Sequence, residues 1–278
     1  MKELNLKEIQ AFCLEILKDV DAFCRANDIK YAMAYGTLLG AIRHKGFIPW
    51  DDDIDIVMTR ENYEKFCSLW KSDKYELICS GNTPDCLIAF ARITDFKRTE
   101  SRSYSPWITG RQNPGVWIDI FPLDYAPDDE KENYSLYKVT RALYNFSTII
   151  RKTAIKILPH TPFKFKVKKW THHRHEHAHL HVQGPEQALE WLEIVIKKSC
   201  EKPTEHLSQY ACPDPFIVEW FDKADFSDYI DLPFEDAMFM APANYEKVLG
   251  DWFGDYMQLP PLKKRINKSR RYLRFYWK

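Results

Sequence analysis

Between Tyr35 and Ile56 the chain brings a glycine turn, three phosphate-seeking side chains and a run of carboxylates into one short stretch, Tyr35-Gly36-Thr37 through Arg43-His44-Lys45 to Asp51-Asp52-Asp53-Ile54-Asp55-Ile56. Residues two apart on a strand point the same way, so Asp53 and Asp55 would share one face with Cα atoms ~6.5 Å apart. That spacing suits a shared divalent ion. Mg²⁺ or Mn²⁺ takes a few carboxylates and leaves its other positions to water and phosphate oxygens. Asp51 keeps the same parity but follows Pro49, which places it in a loop, behind the first ligands or on a second ion. Upstream, Gly36-Thr37 lets backbone N–H groups approach a phosphate and the helix that follows offers its positive end, while Arg43, His44 and Lys45 add cations. Asp51-Asp52-Asp53 alone would read as an exposed acidic turn. Their alternation into the apolar Ile54, Ile56 and Val57 is what marks a site.

A third acid stands in Val116-Trp117-Ile118-Asp119-Ile120-Phe121. An unpaired charge in such a run costs several kcal/mol. Asp119 is therefore either a metal ligand or one half of a salt bridge. Asp124, beyond Pro122, reads as a loop or capping residue. Arg92 and Lys97, around a strand and turn ending in Asp95, are candidate contacts to a diphosphate, or else a surface ion pair. Trp50 and Trp117, with Tyr35 and Trp107, are rings close enough to the motifs to face a cationic headgroup, although core packing explains each of them singly.

These residues need elements to position them. Asn5 and Glu8 form a capping-box pattern ahead of apolar residues at helical spacing, predicting a helix to about Asn27. Tyr31 to Tyr35 reads as a short strand that Gly36 breaks, with Thr37 capping a short helix to about Lys45. Asp53 to Met58 reads as a strand and Arg60 to Trp70 as a helix. Glu76 to Cys79, Leu87 to Thr94 and Val116 to Phe121 add strands, and Gly110 to Gly115 a loop. Beyond Asp124 the pattern turns to long helices, roughly Glu130 to Leu158 and Glu186 to Cys200, with Pro159 and Pro162 between them. The expected fold class is α/β (α+β), a mixed sheet flanked by helices over residues 1–126, with a mainly helical half over 127–278 packed on it.

The bulk numbers place this among globular proteins. No apolar run reaches the roughly 18 to 20 residues of a membrane span, and the N-terminus has no apolar signal-peptide core. The expected location is the cytoplasm. Seven cysteines, an odd number without a CxxC pair, read as reduced core residues. The formal net charge is zero, but its distribution is uneven. Asn133 to His175 holds ten Lys or Arg and no acid, and Lys263 to Lys278 holds eight more among aromatics. Lys152 to Lys169 and Lys263 to Lys278 are expected either to face an anionic membrane surface, making the protein peripheral on its inner face, or to form a solvated face. No nucleic-acid motif accompanies them. The tract His172 to His181 has six imidazoles in ten residues; without the separated ligand pairs of a structural zinc site, it reads as an exposed segment with adventitious metal affinity.

Tyr35 to Ile56, Trp117 to Asp124, and the distal run Pro242 to Leu249 with Gly254-Asp255-Tyr256-Met257 and Pro260-Pro261 resemble the LicD family. That family includes bacterial phosphocholine transferases and, more distantly, fukutin-type ribitol-phosphate transferases. The resemblance implies a nucleotidyltransferase-like fold and metal-dependent transfer of a phosphorylated alcohol, phosphocholine first, from a CDP-alcohol donor to a hydroxyl of a glycan or lipid-linked glycan, with release of CMP. It also implies that Gly36-Thr37 is the glycine turn and that Asp53 and Asp55 are metal-binding acids. The histidine expected after the Pro-Pro element is replaced by Lys263-Lys264-Arg265. Two other readings stand beside this one: ordinary nucleotidyl transfer, and a metal-binding or scaffold protein without catalysis.

Overall fold

Asn5 opens the fold as its spacing predicts. Its side chain accepts from Glu8 N–H and the Glu8 carboxylate accepts from Asn5 N–H, a complete capping box. A computed structural model describes residues 1–80, 82–83, 86, 88–103, 114–153, 163–171, 174–182, 184–214, 217–267 and 273–278. Helix α1 (Leu6–Ala26) leads to β1 (Ala32–Met33), α2 (Tyr35–Arg43), β2 (Asp55–Thr59), α3 (Arg60–Leu69), β3 (Glu76–Ile78), β4 (Ala91–Asp95), β5 (Thr99–Ser103) and β6 (Val116–Ala126). Then follow α4 (Glu130–Thr153), β7 (Phe163–Thr171), β8 (Arg174–Val182), α5 (Pro185–Ser199), β9 (His206–Ser208), β10 (Phe221–Asp222), β11 (Tyr229–Phe234), β12 (Ala237–Pro242), α6 (Tyr245–Phe253) and β13 (Leu273–Trp277).

The central sheet runs β1-β2-β6-β4-β3, with β9 pairing the end of β6 and β10 pairing β9. It is mixed, as expected: β2 lies parallel to β6, and β4 antiparallel to it. At eleven residues, β6 is the spine. Its first half reads as a continuous apolar run because neighbours flank it on both edges and buried side chains cover both faces. Asp124 is not the loop or cap that Pro122 suggested. It continues β6, is 2 % exposed and takes two hydrogen bonds from Arg60, at 2.7 and 2.8 Å. Proline is tolerated there because its register partner, Met58, lies on a parallel strand whose ladder bonds leave alternate N–H groups unused.

The second half contains the expected long helices, α4 and α5, but strands as well. Phe163, Phe165 and Val167 alternate with Lys164, Lys166 and Lys168, a period-two pattern that the charge run obscures. The backbone pairs this segment with β8, setting Lys164 opposite His181, Lys166 opposite His179 and Lys168 opposite His177. Four histidines of the tract thus occupy alternate positions of a strand, while His172 and His173, Pro159 and Pro162, Trp107 and residues 110–113 of the expected loop lie outside the described residues. The basic C-terminal run ends in β13, which pairs β5. Among the described residues no helix is long and apolar enough to cross a membrane. All seven cysteines are free, four of them buried.

Candidate active site

The acidic loop is clamped before it reaches the sheet. Lys45, in the left-handed region at φ 59°, turns the chain after α2, and its carbonyl accepts from Glu235 N–H in the β11–β12 turn at 2.9 Å. The Glu235 carboxylate in turn accepts from Phe47 N–H at 2.9 Å. On the other side the loop lies against α2. A Cβ at Gly40 would stand 2.4 Å from the carbonyl oxygen of Gly46, a backbone atom that cannot swing aside. Gly40→Ala should therefore push the loop off the helix and cost about 2 kcal/mol; a urea midpoint equal to wild type would show that the contact is soft. From behind, Gln10 of α1 donates to the Asp51 carbonyl at 2.7 Å.

Asp51, Asp52 and Asp53 gather because the strand begins later than the alternation suggests. β2 starts at Asp55, the first residue for which a neighbouring strand supplies a ladder partner. Residues 51–54 lie outside the ladder, and the loop gathers the three carboxylates together. Each offers an oxygen within 4.8 Å of the others. Among the described residues it is the one such group of three, and it includes Asp52, which strand parity would have sent to the opposite face. Asp55 lies directly opposite Asp119 in the parallel β2–β6 pairing. Two strands some sixty residues apart in sequence thus present a carboxylate each beside the loop cluster.

The electrostatics are those of a site short of positive charge. Asp53 touches solvent at the mouth, but burial among the surrounding protein, then repulsion from Asp51 and Asp55, pushes its carboxyl well above the usual range. Burial and the facing Asp119 do the same to Asp55, with Arg92 pulling the other way. Burial raises Asp51 too, and its hydrogen bond with Asp53 requires a proton on one of the pair. A divalent ion would remove that need, and the clustered donors fit Mg²⁺ or Mn²⁺.

Gly36 has a specific purpose. A Cβ there would stand 2.7 Å from Asp51 Oδ2, so only glycine lets the carboxylate settle against the first turn of α2, near the helix's positive end. Thr37 is not the cap its position suggested; the helix already begins at Tyr35, and Ala34 is the capping position. Thr37 N–H goes to the Ala34 carbonyl, and its hydroxyl accepts from Asp55 N–H at 2.9 Å, tying α2 to the start of β2. The hydroxyl proton is still available to a ligand.

Arg43, His44 and Lys45 lie at the other end of α2, about 10 Å along the axis from Gly36 at 1.5 Å per residue. There Arg43 donates to the carbonyls of Tyr256, at 2.9 Å, and Gln258. Arg265 sits over the Trp50 ring at 5.9 Å, and His44 meets the edge of the same ring. Burial, then proximity to Arg265, lowers the Arg43 pKa, and burial and Arg43 lower that of His44. Neither Arg43 nor Arg265 pairs with a carboxylate among the described residues.

Arg92 does not reach outward. Its Nε donates to Asp119 Oδ1 at 2.5 Å, its guanidinium lies 4.5 Å from the Trp117 ring centroid and 5.3 Å from that of Phe90, and its side chain is 7 % exposed. Trp117 therefore already holds a cation belonging to the protein. Its indole N–H also points to Asp119 Oδ2 at 3.4 Å. A carboxylate offers about four lone-pair sites, so Asp119 can serve Arg92 and still face Asp55. Lys97 donates to the Asp73 carbonyl, away from the acids.

Sequence reasoning passed over Glu219. The available signal was the one that marked Asp119, an acid inside an apolar run, here Ile217-Val218-Glu219-Trp220. Glu219 is 7 % exposed and accepts from Trp252 Nε1 at 3.2 Å.

Comparison with known proteins places this geometry. Residues 28–166, from the end of α1 through the acids and into β7, match the family described as LicD/FKTN/FKRP, nucleotidyltransferase domain. The chain is 31 % identical over 270 residues to the lipopolysaccharide cholinephosphotransferase LicD of Haemophilus influenzae, covering 94 % of each protein. An uncharacterized protein of Rickettsia typhi is 43 % identical over 63 residues, 22 % of this chain and 20 % of that one. By the family match and by identity along nearly its whole length, the chain belongs to the LicD family.

Proposed function

We propose that the protein transfers phosphocholine from a CDP-linked donor to a hydroxyl of lipopolysaccharide or a related glycan and releases CMP. The observation that carries this reading is the meeting of the Asp51–Asp53 cluster with the Asp55–Asp119 pair, in a chain that aligns along 94 % of its length with a cholinephosphotransferase.

In this reading Asp53 and Asp55, with Asp119 beside them, hold Mg²⁺ or Mn²⁺, which when bound supplies positive charge to the phosphate oxygens. Asp51, whose carboxylate lies within 4.8 Å of that of Asp53, adds negative charge beside the ion. Phosphoryl transfer needs little covalent help from protein, so positioning and charge do most of the work. The acceptor hydroxyl oxygen bonds to the phosphorus that carries choline, and the bond from that phosphorus to the bridging oxygen breaks. CMP leaves with that oxygen and the electron pair. The hydroxyl proton goes to Asp119, which its ion pair with Arg92 holds in place. Gly36 and the Thr37 hydroxyl border the donor phosphates. Arg43 and Arg265, which meet beside Trp50 and His44, are the cations assigned to the departing CMP, with Lys45 at the end of the same segment.

Product analysis tests the reading. With a panel of CDP-alcohols and Mg²⁺, CDP-choline should yield CMP and a phosphocholine-bearing glycan. The family description favours one rival, nucleotidyl transfer. Pyrophosphate release from a nucleoside triphosphate, with CDP-choline untouched, would establish that rival instead.

A further inference from the structure

Tyr35 begins α2 beside Gly36, and its ring leads away from the acids. It lies 5.8 Å, edge-on, from the ring of Phe121, which shares a face of β6 with Asp119 two residues before it. On its other side it meets Trp252 of α6 at 4.6 Å. Trp252 donates its indole N–H to Glu219 Oε1. A continuous wall of rings therefore runs from the paired acids to one buried carboxyl.

That carboxyl is half satisfied. Glu219 Oε2 and the Tyr35 hydroxyl are both buried without a hydrogen-bond partner of normal geometry, although each is near enough to shift the other's ionisation. An unsatisfied buried carboxylate oxygen is costly, and such groups in folded proteins call for an explanation. Glu219 and Trp252 also line a cavity of about 370 Å³, shared with Glu130, Tyr134, Trp220 and Asp251. Three carboxylates and several aromatic faces border it, and among the described residues no Lys or Arg does.

We propose that Glu219, Tyr35 and Trp252 form the subsite that recognises the quaternary ammonium end of the transferred headgroup, an inference that rests on the phosphocholine transfer proposed above. Ring faces attract a methylated cation without needing hydrogen bonds from it, and one carboxylate supplies the counter-charge. A primary ammonium has three N–H groups to satisfy. Trp252 N–H is a donor and ring faces do not accept as carboxylates do, so within this group of three only Glu219 Oε2 and the Tyr35 oxygen are left to accept from a primary amine. The ring wall starts beside the acids that would hold the phosphate, the Tyr35 ring lying 5.8 Å from that of Phe121.

Ionisation of Glu219 supports the assignment. Burial pushes its carboxyl up to about 7, against the lowering effect of Tyr35 and Trp252. The titratable groups facing it are Tyr35 on α2, Asp214 ahead of β10, and, around the cavity, Glu130 on α4 and Asp251 on α6. A bound cation favours the ionised form, so cation binding should release a proton and tighten as pH rises through that value.

The test compares choline with its neutral isostere 3,3-dimethylbutanol, free and as CDP esters. Wild type should prefer CDP-choline over CDP-3,3-dimethylbutanol by about tenfold or more in kcat/KM. In Glu219→Gln that ratio should fall towards one, chiefly through KM for CDP-choline. Calorimetric choline affinity should rise from pH 6 to pH 8 in wild type and stay flat in the variant. Should Glu219→Gln not fold, Trp252→Phe, which keeps a ring with a weaker cation–π face, should lower the ratio severalfold. CMP release with the preference intact in a folded variant overturns the subsite and leaves the transfer standing. No CMP release from any CDP-alcohol overturns the transfer, and free choline then decides the subsite: choline binding that weakens in Glu219→Gln supports it, and choline bound no better than the alcohol, or equally by both proteins, overturns it.

Discussion

Asp55→Asn is expected to lower CMP release from CDP-choline about a thousandfold, the scale lost when charge stabilisation aimed at a reacting phosphate is removed. The folded protein should not suffer for it. In the absence of a cation, Asp55 faces Asp119 across the β2–β6 pair and shares a crowded recess with Asp51 and Asp53, so its charge opposes folding. Asparagine removes the repulsion and keeps the size, and the variant's melting temperature should equal or exceed that of wild type. Mg²⁺ supplies the contrast. A ligand that binds only the folded state raises stability as its concentration exceeds its dissociation constant, so wild type should gain in melting temperature on titration and Asp55→Asn should gain little. Equal Mg²⁺ responses in the two proteins would remove Asp55 from the metal site. Full CMP release by the variant would remove Asp55 from the catalytic machinery.

Arg92→Met should destabilise the protein by about 3 kcal/mol, because removing one partner of a buried ion pair leaves the other charge uncompensated. The guanidinium is 7 % exposed and Asp119 14 %, so water replaces little of what is lost. Packing between Trp117 and Phe90 limits the damage, since methionine can fill the same slot. Two signatures separate this role from a simple substrate contact. Arg92→Met combined with Asp119→Asn should recover part of the loss, as coupled neighbours do. Mg²⁺ should also stabilise Arg92→Met by more than it stabilises wild type, because both Asp119 oxygens become available to the ion. Urea unfolding measures both; a loss below about 1 kcal/mol, well under that of a broken buried pair, would mean that Arg92 does not hold Asp119.

The sequence disclosed features that depend on near neighbours. Asn5 and Glu8 sit three residues apart and announced α1; the acids after Pro49 and the lone Asp119 announced a charged site by standing in apolar surroundings. What it hid depends on distant chain segments. Arg92 looked like a diphosphate contact because nothing local shows that β4 lies antiparallel to β6 with Arg92 opposite Asp119. Asp124 looked like a cap because its partner, Arg60, is sixty-four residues earlier. Arg43, His44 and Lys45 adjoin the glycine turn in sequence, yet the length of α2 carries them to its far end. Trp50 and Trp117 were rings without known neighbours, and the protein's own arginines prove to be those neighbours. In the second half, β7 was hidden by its lysines, whose charge drew attention from the alternation beneath.

The parallel pairing of β2 with β6 also has a kinetic meaning. A hairpin could have placed two aspartates side by side with a few residues between them; here the chain must first complete α3, β3, β4 and β5 before Asp119 can reach Asp55. Closing so long a loop is slow, and contacts of high sequence separation come late in folding. An early species with α1, β1, α2 and β2 in place would hold Asp51, Asp52 and Asp53 without their counterpart, and would capture a divalent ion only loosely. In the metal site proposed above, tight ion capture would therefore wait until β6 has paired with β2.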